Sequence, residues 1–87
     1  MVYYEVRLNK KVRKKDLPKL SHKDVARIVD RISNLAENPY PSDAVQLRGR
    51  EEWRIRQGNY RILYTVDESI VTVIVLKVGH RRDVYRR

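Results

Sequence analysis

The sequence predicts an α+β fold in the order β-α-α-β-β-β-β, with two N-terminal helices packed on a small, mostly antiparallel sheet. Three observations predict it. An apolar run of period two opens the chain, a run of helical period follows, and everything after Ala44 reads as short strands separated by turn residues.

Val2, Tyr4, Val6 and Leu8 alternate with Tyr3, Glu5 and Arg7, the pattern of a half-buried strand. Asn9 to Asp16 is lysine-heavy, with Val12 and Leu17 as its apolar points, and reads as a short helix ended by Pro18. Ser21 with Asp24 three residues later resembles a capping box. Val25, Ile28, Val29, Ile32 and Leu35 then fall at helical spacing, so residues 21–37 form an amphipathic helix stopped by Asn38-Pro39. A polar loop, residues 39–43, leads to strands at 45–47, 53–57, 60–66 and 70–78. Gly58-Asn59 and Asp67-Glu68-Ser69 are hairpin signals. The last run, IVTVIVLKV, is apolar on both faces and suits a central strand. No repeat or linker interrupts the 87 residues, which suffice for one compact domain and are too few for two.

Charge narrows the partner. Lys and Arg number 20 against 11 Asp and Glu, a formal net charge of +9. Self-repulsion of that size favours a long-lived anionic partner: nucleic acid first, an acidic protein second, an anionic membrane surface third. Arginines outnumber lysines 13 to 7. Their planar donor forks suit phosphate better than the ammonium that usually supplies solubility. No apolar run approaches the ~20 residues of a membrane span, and no signal peptide opens the chain. Cysteine is absent, which excludes disulfides, thiolate metal sites and a Cys nucleophile. The expected compartment is the cytoplasm.

Registering the hairpin around Gly58-Asn59 sorts its side chains. Gln57 falls opposite Tyr60, Arg56 opposite Arg61, Ile55 opposite Ile62, Arg54 opposite Leu63 and Trp53 opposite Tyr64. Trp53, Ile55, Ile62 and Tyr64 then share a core face, while Arg54, Arg56 and Arg61 share the other. Arginines directly opposite in an antiparallel pair repel. A merely solvated face would alternate signs, and Glu51-Glu52 supplies acid nearby, so three converging arginines point to a bound phosphate. Arg48, Lys77 and Arg82 extend the candidate phosphate-binding set.

The tail carries candidates for chemistry. Gly79-His80-Arg81-Arg82-Asp83-Val84-Tyr85-Arg86-Arg87 adds an imidazole and a phenol, both able to move protons, although tyrosine can instead stack on a base. Metal-free RNA cleavage needs the 2′-OH deprotonated, the phosphate aligned and neutralised, and the leaving 5′-oxygen protonated. The candidate catalytic residues are Arg61, His80, Arg81 and Tyr85. Nothing calls for a metal or a cofactor: the acids are scattered, His22 reads as a surface residue, and phosphate-cradling glycine motifs are missing.

Leu47-Arg48-Gly49, WRIRQGNYRILYTVD from Trp53 to Asp67 and VGHRRDVY from Val78 to Tyr85 together resemble the RelE/ParE superfamily of toxins, over essentially the whole chain. The GHRRDVY ending resembles the RelE branch more specifically. That resemblance implies a toxin cleaving mRNA in the ribosomal A site, without a metal, through 2′-OH attack that leaves a cyclic phosphate. It also implies silencing by a cognate acidic, partly disordered antitoxin. Arg54 and Arg56 fall where the RelE branch has two lysines, and Arg61 matches its arginine on the next strand. Arg81 matches the tail arginine implicated in leaving-group protonation, Tyr85 the C-terminal tyrosine, and His80 falls where that branch has lysine. Guanidinium keeps its proton at physiological pH, so Arg54 and Arg56 cannot act as a lysine base would. The base is then His80, with an ordinary pKa of about 6.5, or Tyr85, whose ~10 surrounding arginines would lower.

Two other functions fit the same fold class. One is a ParE-like toxin that inhibits DNA gyrase through protein contacts. The other is an RNA- or ribosome-binding module that does not cut. Fold does not separate them; the Arg/His/Tyr constellation does. Base preference and the oligomeric state of the free chain are open at this level.

Overall fold

The computed structural model describes residues 2–49 and 51–80. Five strands form one sheet: β1 (Glu5–Leu8), β2 (Val45–Gln46), β3 (Trp53–Gln57), β4 (Tyr60–Asp67) and β5 (Thr72–His80). Their order across the sheet is β1-β5-β4-β3-β2, antiparallel throughout except for the parallel β1–β5 pair. The helix α1 (His22–Ser33) and a preceding irregular helical stretch lie on one face. The α+β order expected from the sequence is the one observed.

The core joins the two layers. Val12, Ile28, Ile32 and Leu35 from the helical layer meet Ile55, Ile62, Tyr64, Val73, Val75 and Val78 from the sheet. Tyr64 is fully buried, and its hydroxyl donates 2.7 Å to the Pro39 carbonyl, which satisfies its one polar atom. Ser21 caps α1 as its sequence position predicts, its Oγ accepting from the Asp24 backbone N–H at 3.2 Å. The helix ends at Ser33, and a tighter 3₁₀ turn, Asn34–Ala36, carries Leu35 into the core.

Several boundaries differ from the expectation. Pro18 does not end the first helical stretch. It sits inside a 3₁₀ turn, Leu17–Lys19, near the N-terminal end of that turn, where a missing N–H costs nothing. A π-helical turn, Val12–Asp16, precedes it. Only Val45 and Gln46 pair as β2, and β5 starts at Thr72 because residues 68–71 form the turn, with Val71 at φ 49°. Val2 and Tyr4 precede β1, whose pairing begins at Glu5.

The first helical stretch also completes the sheet. Strand β1 pairs with β5 only as far as Val75, leaving the remaining edge of β5 to be satisfied otherwise. Asn9 Nδ2 donates to the Leu76 carbonyl at 2.9 Å, and buried Asp16 accepts from the Val78 N–H at 3.0 Å. Asn9 Oδ1 meanwhile accepts from the Val12 N–H, starting the helical stretch. Side chains thus continue the ladder where β1 stops.

Candidate nucleic-acid interface

The hairpin that carries the arginines is built by its turn. Gly58 takes φ 60°, as a two-residue turn with glycine first demands, and this fixes Arg56 opposite Arg61 and Arg54 opposite Leu63. The predicted register is the observed one. Arg54, Arg56 and Arg61 project from the face opposite the helices, Arg56 exposed and the other two half-buried.

Strand β5 extends that face. Leu63 pairs with Lys77, but Tyr64 pairs with Val75, so Leu76 is an extra residue, a β-bulge. The bulge reverses the phase of everything beyond it. Without it, the alternation that buries Val73 and Val75 would send Lys77 and Gly79 toward the helices and His80 toward the arginines. With it, Lys77 and Gly79 join the arginine face, and Val78 and His80 turn to the helices.

Two cross-strand rows result. One runs Arg54–Leu63–Lys77 and the other Arg56–Arg61–Gly79. Gly79 places no side chain beside Arg61. Three guanidinium groups and an ammonium therefore crowd a patch two strand rows deep, an arrangement suited to a polyanion backbone.

The other sequence candidates fall elsewhere. Arg48 is exposed in the turn after β2, beside Gly49 at φ 71°. The Leu47 N–H donates to the Glu52 carbonyl, so Arg48 lies near the Glu52 end of β3, four residues or roughly 13 Å from Arg56. It can contact a strand that runs along the sheet but not the phosphate at Arg56. His80 pairs with Tyr60, the two rings meeting edge-on with centroids 6.1 Å apart. The Tyr60 hydroxyl donates to Asp24 of α1 at 3.2 Å, and desolvation first, then this bond, raises its pKa above 10.0. His80 is thus grouped with α1 and not with Arg56 and Arg61. Arg81, Arg82 and Tyr85 lie outside the described residues.

Two neighbours of the site were missed by sequence reasoning. Leu63 is 1% exposed although it faces away from the helices, and Lys11 of the first helical stretch reaches the same face. The pairing of Leu63 with Arg54 hinted at the first, whereas nothing local announces the second.

The sequence matches the family model of the ParE toxin of type II toxin–antitoxin systems (parDE) over residues 4–85. The chain belongs to the RelE/ParE toxin superfamily. Its RelE-like character follows from individual relatives. The putative toxin RelE1 of Methanocaldococcus jannaschii is 30% identical over 95% of this chain and 96% of its own. Toxin RelG of Mycobacterium tuberculosis is 53% identical over a shorter stretch, 37% of each chain. A chain of the M. tuberculosis RelBE2 toxin–antitoxin complex superposes with a TM-score of 0.82 at 35% identity, covering 95% of this chain and 97% of that one. Among the described residues of this RelE-like chain, no helix is long and apolar enough to cross a membrane.

Proposed function

We propose that this chain is the toxin of a type II toxin–antitoxin pair and that it cuts mRNA on the ribosome, in the cytoplasm, without a metal. The observation that carries the reading is the Arg56–Arg61–Gly79 row: two guanidinium groups opposed across a hairpin, beside a position with no side chain. Like charges held face to face cost stability and are relieved by an anion between them.

In this reading Arg56 and Arg61 hold the scissile phosphate and neutralise the charge that builds on it. The ribose 2′-oxygen attacks phosphorus, the bond to the 5′-oxygen breaks, and a 2′,3′-cyclic phosphate and a 5′-hydroxyl form. One proton leaves the 2′-OH for a base on the chain, and one reaches the 5′-oxygen from solvent water. With His80 packed against Tyr60 on the helix face, we assign the first transfer to Tyr85, and to His80 the anchoring of the strand end from which the tail departs. Arg81 stabilises the leaving oxygen electrostatically, and Arg54, Lys77, Arg82 and Arg48 bind flanking phosphates.

The silencing partner in this reading is a cognate acidic antitoxin. Support comes from the formal charge of +9 and from the RelBE2 relative, which was solved as a toxin–antitoxin complex. A second reading, inhibition of DNA gyrase, draws on the ParE description of the family model.

The test is a defined mRNA on purified translating ribosomes, with end chemistry read on the fragments. Cyclic phosphate upstream and 5′-hydroxyl downstream are expected. Intact mRNA with translation halted would favour a binding module, and intact mRNA with gyrase inhibited would favour the second reading.

A further inference from the structure

Strand β2 covers only part of the outer edge of β3. Val45 and Gln46 pair with Arg54 and Trp53, and the same register carried on would set Asp43 opposite Arg56. Residues 42 and 43 form a turn instead, so the ladder stops at Arg54. Gln57 and Tyr60 close the two-residue turn of the hairpin, which makes Arg56 and Arg61 the next, non-hydrogen-bonded pair. In such a pair the side chains stand closer and the backbone groups point outward. The outward carbonyl of Arg56 is met by Arg31 of α1, whose Nε–H donates to it at 3.3 Å. A terminal nitrogen of the same guanidinium pairs with Asp43. That bond, the largest influence on Asp43, holds its carboxyl below the ordinary 3.8. Arg31 thus stands where the next residue of β2 would, and Asp43 cancels a charge that would add to the repulsion between Arg56 and Arg61. With 22% of its side chain exposed, Arg31 has little surface left for a phosphate.

We propose that Arg31 is a positioning residue of the RNA site: braced by Asp43, it holds the Arg56 backbone and so fixes the Arg56 guanidinium against Arg61. The inference rests on the RNA reading above. Like charges in the closer kind of cross-strand pair push β3 away from β4, in the stretch where β2 gives no support. Arg31 holds that stretch from outside. Without it Arg56 keeps its charge and its attraction for RNA, but not its place. Binding by charge tolerates such freedom, whereas alignment of a phosphate for attack does not: a displacement of about 1 Å costs on the order of 100-fold in rate.

Single-turnover cleavage of a defined mRNA on programmed ribosomes tests the role, with ribosome affinity and its salt dependence measured on the same variants of the full chain. Arg31→Ala is expected to lower the rate at saturating ribosomes by roughly 10- to 100-fold, with affinity within about threefold and the salt slope unchanged. Asp43→Asn should lower the rate by less, and the double variant should be no slower than Arg31→Ala, because the two side chains act as one unit. Asp43→Asn carries the same test if Arg31→Ala does not fold. Amide hydrogen exchange adds a readout free of RNA. Arg31→Ala should speed exchange at Gln57, the N–H of the held peptide, by about tenfold and leave the core residues Val73 and Val75 unchanged. An unchanged rate overturns the proposal, as does a salt slope that falls with the rate, which would make Arg31 an RNA contact. Faster exchange throughout the sheet overturns it too, in favour of a general effect on stability. Losses that multiply in the double variant overturn the bracing by Asp43. Absence of both cutting and salt-dependent ribosome binding in the unaltered chain overturns the RNA reading and the role with it.

Discussion

Arg56 stands directly across from Arg61 in adjacent antiparallel strands, and the row they form ends on Gly79. Such a pair opposes folding and favours anion binding, so one substitution should move the two properties in opposite directions. Arg56→Thr is expected to raise stability at low salt by about 0.2–1 kcal/mol. The same change should weaken RNA binding and reduce the salt slope by about one phosphate contact. Urea denaturation and a salt titration check the two halves; a less stable variant with an unchanged slope would show that the pair does not serve an anion.

The bulge at Leu76 turns His80 away from Arg56 and Arg61. Tyr85→Phe is expected to lower cleavage by a factor on the order of 100 or more, with ribosome affinity nearly unchanged, as loss of a proton acceptor does. His80→Ala should cost less than about tenfold, because its ring packs on Tyr60 and not beside Arg61. Single-turnover rates on both variants decide it, and a reversed ranking would return the base to His80.

Asp16 replaces a missing strand. Its carboxylate accepts the Val78 N–H from a nearly buried position, so Asp16→Ala leaves that donor without its bond. A loss of about 1–3 kcal/mol is expected. Chemical denaturation measures it, and a loss below a few tenths would mean that water replaces the carboxylate at no cost.

Glu68 predicts an acid limb. The hydroxyls of Tyr4 and Tyr40 donate to its two oxygens at 2.5 and 2.6 Å, tying the start of the chain and the loop after α1 to the β4–β5 turn. The bond from Tyr4 first, then that from Tyr40, holds the Glu68 carboxyl below its ordinary 4.5. A depressed folded value stabilises the fold above the unfolded one and is lost as pH falls through the folded one. Stability should therefore decline below pH 4.5, and Glu68→Gln should flatten that decline. Denaturation midpoints from neutral to acid pH test this; parallel curves for both proteins would contradict it.

What the sequence disclosed and what it hid divide along physical lines. The hairpin register was legible because Gly58-Asn59 fixes it locally, and the cap at Ser21 because its partner is three residues away. The membership and face of the arginine trio followed. The face of His80 did not, because it depends on one bulged residue, Leu76, inside an apolar run whose period-two phase is ambiguous. The parallel pairing of β1 with β5 joins residues more than 60 positions apart, and the bonds from Asn9 and Asp16 to β5 follow only from it. Pro18 misled because proline breaks the interior of an α-helix yet fits the first residues of a 3₁₀ turn.

The most direct test of the central claim maps mRNA 5′ ends in cells shortly after induction of the chain, beside the Arg56→Ala/Arg61→Ala double variant. New ends within reading frames are expected for the unaltered chain and should vanish for the variant, with both proteins present at equal levels. Undiminished cleavage by the variant, or intact mRNA accompanied by broken chromosomes, would contradict the account.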